Sequence, residues 1–87
     1  MQLICRNDVE DFAAWKVVFD SDQEARMHAG MSMLQLWRDA DRANRVWMLF
    51  DVNDRGRAQS FMDDPRSEQM GKKTGMTDSE YHFVETL

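Results

Sequence analysis

At 87 residues and 10.3 kDa the chain has room for a single domain over 1–87, in which about two-thirds of the surface can be buried. Apolar residues make up 43% and charged residues 31%, which excludes disordered and collagen-like classes. Eleven basic against sixteen acidic residues give a net charge of −5, and the only adjacent lysines are Lys72 and Lys73. Phosphate-backbone binding needs clustered Lys and Arg, so nucleic acid is not an expected partner.

No apolar run approaches the roughly 20 residues of a membrane span, and no membrane partner is expected. The start, Met-Gln-Leu-Ile-Cys-Arg, does not read as a signal peptide. One cysteine cannot close an internal disulfide, which fits a reducing compartment and a cytoplasmic protein.

Residues 2–6 read as a first strand. Asn7 or Asp8 can cap a helix starting at Val9, on which Phe12, Trp15, Val18 and Phe19 share one face. Ser21 and Glu24 have the spacing of a capping box, so the helix breaks or kinks there and runs on to about His28, with Gly30 as its stop. Residues 32–38 and 45–52 form a hairpin of two strands across the polar turn 39–44. Asn53 or Asp54 caps a helix carrying Ala58, Phe61 and Met62. Pro65 restarts helix behind Asp64, and this piece ends near Lys73 and Gly75. Residues 79–86 are a fourth strand. The order β-α-β-β-α-β predicts an α+β, ferredoxin-like fold: a four-stranded antiparallel sheet with two helices on one face.

Strand alternation sets Leu34 and Leu36 against Met33, Gln35 and Trp37. It likewise sets Val46, Met48, Phe50 and Val52 against Trp47 and Leu49, and Tyr81 and Phe83 against His82 and Val84. Both sheet faces are therefore substantially apolar, and two helices cover only one. A second copy of the chain is the simplest cover for the other, so a homodimer is expected.

Val9-Glu10-Asp11-Phe12-x-x-Trp15-Lys16-x-x-Phe19-Asp20 after a short strand, then Ala29-Gly30, resembles the dimeric α/β-barrel superfamily. So do Leu49-Phe50-Asp51 ahead of Ala58-x-x-Phe61-Met62 and the Pro65 helix. That superfamily includes antibiotic-biosynthesis and haem-degrading monooxygenases, muconolactone-isomerase-like enzymes and stress-responsive barrels. The resemblance implies a homodimer with two sheets face to face and a pocket between each sheet and its helices or within the barrel. Haem-degrading members carry an asparagine where Asn7 stands, but also a tryptophan and a histidine on the second helix. The stretch from Phe61 to Lys73 has neither. Cofactor-free monooxygenases of the superfamily use asparagine, tryptophan, tyrosine and arginine, and Asn7, Trp37, Tyr81 and Arg38 are residues of those types. No cofactor is expected.

Nucleophile, redox and dinucleotide motifs are missing. Gly71-Lys72-Lys73-Thr74 lacks the upstream glycine of a phosphate loop, and Asp51-x-Asn53-x-x-Gly56 lacks the oxygen ligands of a calcium loop. The two histidines have no partner at ligand spacing, so no metal site is expected. His28 reads as a helix-end cation. His82 reads either as an ordinary polar strand residue or as a general base, and with Tyr81 it is the catalytic candidate. Cys5 reads as a small core residue in preference to a nucleophile.

Met27, Met31, Met33, Met48, Met62 and Met70 either fill core gaps or line an adaptable pocket. Trp37 and Trp47 either stack on a planar ligand or seal a dimer interface. Asn7, Met33, Gln35, Trp37 and Trp47 are the candidate ligand contacts, with Gln35 or Asn7 supplying an orienting hydrogen bond. The expected function is to bind a small apolar or aromatic molecule. The alternative is a cofactor-independent monooxygenase or isomerase acting on an aromatic or lactone-like substrate.

Overall fold

The computed structural model describes residues 1–73 and 75–87, without the side chains of Ser67, Glu68 and Met70. Thr74 of the phosphate-loop echo and the Met70 side chain thus lie outside the described residues. In chain order the elements are β1 (Gln2–Val9), α1 (Phe12–Ser21), α2 (Gln23–His28), β2 (Met31–Arg38), β3 (Arg45–Val52), α3 (Arg55–Asp63), α4 (Pro65–Lys73) and β4 (Met76–Val84). The strands form one antiparallel sheet in the order β2-β3-β1-β4. This is the ferredoxin-like arrangement, with each helical crossover split in two. Among the described residues no helix is long and apolar enough to cross a membrane.

The first strand runs three residues further than expected, and the helix begins later. Asn7 and Asp8 pair with Val46 and Arg45 instead of capping, and Val9 is buried at the edge of the core. The cap is Asp11, whose carboxylate accepts from the Ala14 amide at 3.1 Å. The break after Ser21 falls where the sequence placed it, for a different reason. Ser21 Oγ donates to the Val18 carbonyl, and Asp22 opens α2 with no side-chain hydrogen bond. The second crossover keeps its expected caps: Asp54 accepts from the Arg57 amide at 3.0 Å, and Asp64 from the Arg66 amide at 2.8 Å. Gly30 and Gly75 leave their helices at φ of +77° and +74°, the left-handed region that glycine enters without penalty. β4 spans 76–84 rather than 79–86, because β1 extends to Val9 and pairs there with Met76.

The second strand carries the main surprise. A register shift between Met33 and Gln35 leaves Leu34 without a partner on β3. Met33 therefore lies opposite Phe50, and Leu36 opposite Met48, both on the helix-facing side. Simple alternation had put Met33 with Gln35 and Trp37. The bulge returns Gln35 and Trp37 to the other face, opposite Leu49 and Trp47.

One core joins sheet and helices: Leu3, Val46, Met48, Phe50 and Val52 from the strands meet Trp15 of α1 and Ala58 of α3. Trp15 stacks on Phe19 with ring centres 4.6 Å apart. The opposite face carries Ile4, Leu49, Trp47, Trp37, His82 and Val84, and among the described residues the helices pack on the other side.

Candidate functional site

A cavity of about 490 Å³ lies between the sheet and the helices. Its floor is a patch of neighbouring strand residues: Cys5 and Asn7 of β1, Met48 and Phe50 of β3, Ser79 and Tyr81 of β4. Trp15, Phe19 and Arg26 from the first crossover and Phe61 and Met62 from the second close it from above. A hollow of about 620 Å³ between α2 and α3 is larger, but helices and their ends supply all of its lining. It is a groove on the helical surface, whereas the smaller cavity reaches into the core.

The cavity wall is mainly apolar and aromatic, with Asn7, Ser79, Tyr81, Arg26 and the carboxylates of Asp22, Asp63 and Glu80 also along its lining. Among the described residues the Asn7 carboxamide makes no hydrogen bond, although Asn7 is only partly exposed. Gln59 Nε2 donates to the Tyr81 hydroxyl oxygen at 2.9 Å, which leaves the phenolic proton free to be given elsewhere. Burial pushes the Cys5 thiol up to about 12, so it stays protonated at neutral pH and is no nucleophile. Arg26 is 7% exposed, its guanidinium 3.8 Å from the centre of the Phe19 ring, and burial lowers its pKa. Sequence reasoning passed over Arg26. It follows Phe12 and Phe19 at intervals of seven, on the continuation of the apolar stripe, and that spacing was the signal available.

The structure divides the candidate residues between the two faces. Asn7 and Tyr81 meet in the cavity. Met33 is on the same face but stands outside the cavity, 46% exposed. Gln35, Trp37, Trp47 and His82 are on the open face. The His82 ring is 3.6 Å from the Glu80 carboxylate and borders no part of the cavity, so a general base inside it would have to be another group. Arg38, of the type seen in cofactor-free monooxygenases, lies over the Phe12 ring and donates to the Ala43 carbonyl. Of the methionines, Met31, Met48 and Met62 line the cavity, and Met27 is 61% exposed. Among the described residues no cluster of three His, Cys, Asp or Glu side chains offers a metal site.

The open face pairs its apolar centre with a charged flank. Trp47 Nε1 donates to Asp39 at 2.8 Å, which holds that carboxyl below its usual range. Arg6 reaches three carboxylates: Asp8 at 2.7 Å, Glu80 at 2.9 Å and Asp78 at 3.0 Å. Asp8 also accepts from Arg45 at 2.7 Å. Arg45 first, with Arg6, holds the Asp8 carboxyl at about 2, below its ordinary 3.8. Stability from this group is complete above about pH 4 and is lost as pH falls toward about 2. Asp8→Asn is therefore expected to flatten the thermal midpoint against pH between those values and to lower it little below them. An unchanged slope would mean that the pairs do not form in solution.

No family model matches the sequence, and no curated protein matches it either. Solved structures do match. An antibiotic-biosynthesis-monooxygenase-type protein from Bordetella bronchiseptica superposes with a TM-score of 0.78 at 15% identity, over 99% of this chain and 95% of that one. SnoaB, a cofactor-independent oxygenase from Streptomyces nogalater, gives 0.73 at 17% identity over 99% and 92%. This chain has the antibiotic-biosynthesis-monooxygenase fold. An uncharacterised NIPSNAP domain protein from Burkholderia xenovorans gives 0.66 at 10% identity over 100% and 95%. At such identities the shared feature is the antibiotic-biosynthesis-monooxygenase fold itself, and the chemistry is left to the residues in the cavity.

Proposed function

We propose that the chain forms a homodimer through its open sheet face and binds a small, largely apolar or aromatic molecule in the cavity between sheet and helices. The cavity carries the reading. It is of ligand size, walled by Trp15, Phe19, Phe50 and Phe61, and provided with the unpaired Asn7 amide and the Tyr81 hydroxyl. A reducing cytoplasm suits its single, protonated cysteine.

The test uses Trp15, the one tryptophan that borders the cavity. In a Trp37→Phe/Trp47→Phe background its fluorescence is expected to be quenched, with saturation, by naphthols or hydroxyquinones. Asn7→Ala should weaken that binding by about tenfold, the worth of one buried hydrogen bond. If no compound in the panel quenches it, the domain has a purely structural or interaction role.

A second reading, a cofactor-independent oxygenase, is favoured by the likeness to SnoaB together with Asn7 and Tyr81 in one cavity. Such chemistry needs a phenolate or carbanion formed away from water and molecular oxygen delivered to it. Tyr81 would hold the substrate oxygen by donating its free proton. Oxygen uptake with a bound phenol should then fall by about 10²–10⁴-fold in Tyr81→Phe. Binding without oxygen uptake leaves the first reading.

A further inference from the structure

Among the described residues Arg26 is the one charged side chain in the buried set. Its Nη1 donates to the Phe19 carbonyl at 2.7 Å, and the flat guanidinium rests on the Phe19 ring. No carboxylate lies within ion-pair distance of it, and the nearby charges of Asp20 and Asp22 act only through space. A buried cation with no paired anion is expensive to maintain. Its remaining donors show why the position is useful. With Nη1 engaged, the Nε and Nη2 edge has no acceptor among the described residues; neither atom is fully buried, and Arg26 lines the cavity. That edge presents two parallel N–H bonds, the two-pronged geometry that fits a carboxylate.

Resting on the binding function proposed above, we infer that the cavity selects small aromatic molecules bearing a carboxylate, which docks on the Nε/Nη2 edge of Arg26. The aromatic part lies between the ring-rich helices and the strand floor. The ligand's negative charge supplies the counter-ion that the fold itself withholds from Arg26. The alternative, that Arg26 only braces α2 against the Phe19 carbonyl, uses one of its five donors and gives no preference between ligands.

Isothermal titration with 2-naphthoate and the neutral, near-isosteric 2-naphthamide separates these accounts. In the unaltered protein 2-naphthoate should bind about tenfold or more tightly than 2-naphthamide. Arg26→Met should bring the two within about twofold, the carboxylate losing more affinity than the amide. Should Arg26→Met fail to fold, Arg26→Lys carries the comparison. It keeps the charge but loses the fork, and should reduce the preference for the carboxylate. Equal affinities in the unaltered protein, or a preference that survives Arg26→Met, overturn the inference and leave the binding function standing. If neither probe binds while a naphthol or hydroxyquinone quenches Trp15, the inference falls and the binding function stands.

Discussion

Phe50→Ala is expected to lower the unfolding free energy by about 3–5 kcal/mol, measured by urea denaturation. Phe50 is 2% exposed at the centre of β3, opposite Leu3 of β1 and Met33 of β2. The substitution removes a whole ring from the one cluster that joins sheet and helices. It also widens the floor of the cavity, where the surrounding structure has little freedom to collapse into the gap. A domain of this size has on the order of 5–10 kcal/mol of stability, so the variant would lose between about a third of it and all of it. Val17→Ala, on the exposed side of α1 at 71% exposure, should change stability by about 0.5 kcal/mol or less. A loss below about 1 kcal/mol at Phe50 would mean that the sheet and helices do not share a core.

How legible this fold was depended on the kind of signal. β3 was readable to the residue, because Val46, Met48, Phe50 and Val52 alternate without interruption and all point to the helices. The glycine stops and the Asp64 cap were equally plain, and the other cap was narrowed to Asn53 or Asp54, since each residue type performs there what its local chemistry favours. Errors arose where a tertiary contact overruled a local preference. Asn7 and Asp8 are good helix caps, but pairing with β3 and the ion pair to Arg45 keep them in the strand. The bulge at Leu34 left no mark in the sequence, because an extra strand residue needs no glycine or proline. It displaced the assignment of faces on β2, and with it the grouping of Met33 with Gln35 and Trp37.

The site was legible in part for the same reasons. Period-two alternation correctly separates Tyr81 from His82, but says nothing of which of the two faces the helices. Only the register, with Tyr81 opposite Cys5 and His82 opposite Ile4, decides it. Arg26 was hidden by its type. An arginine near a helix end normally reads as a solvated cation favoured by the helix dipole, and burial against Phe19 depends on how α2 turns after the break at Asp22. The buried cation of the cavity was thus the one whose residue type masked the signal in its spacing.

Leu49→Asp is expected to convert a dimer into a monomer. Light scattering at micromolar concentration should give about twice 10.3 kDa for the unaltered chain and a single 10.3 kDa for the variant. Leu49 sits mid-strand on the open face, between Ile4 of β1, which is 37% exposed, and Gln35 of β2. In a lone chain a carboxylate there is wetted, so the fold survives and the circular dichroism spectrum stays the same. In a face-to-face pair of sheets the same carboxylate loses its water, and two-fold symmetry places it in the interface twice. Each buried, unpaired charge costs about 3–5 kcal/mol, enough to raise the dissociation constant by at least on the order of 10³. The charged flank formed by Arg6, Asp8, Arg45 and Glu80 cannot neutralise the new charge, because its arginines are already engaged by carboxylates. A monomeric unaltered chain would remove the dimer from the proposed function. A Leu49→Asp variant that remains dimeric would move the interface away from the open face, leaving Trp37 and Trp47 free to contact something else.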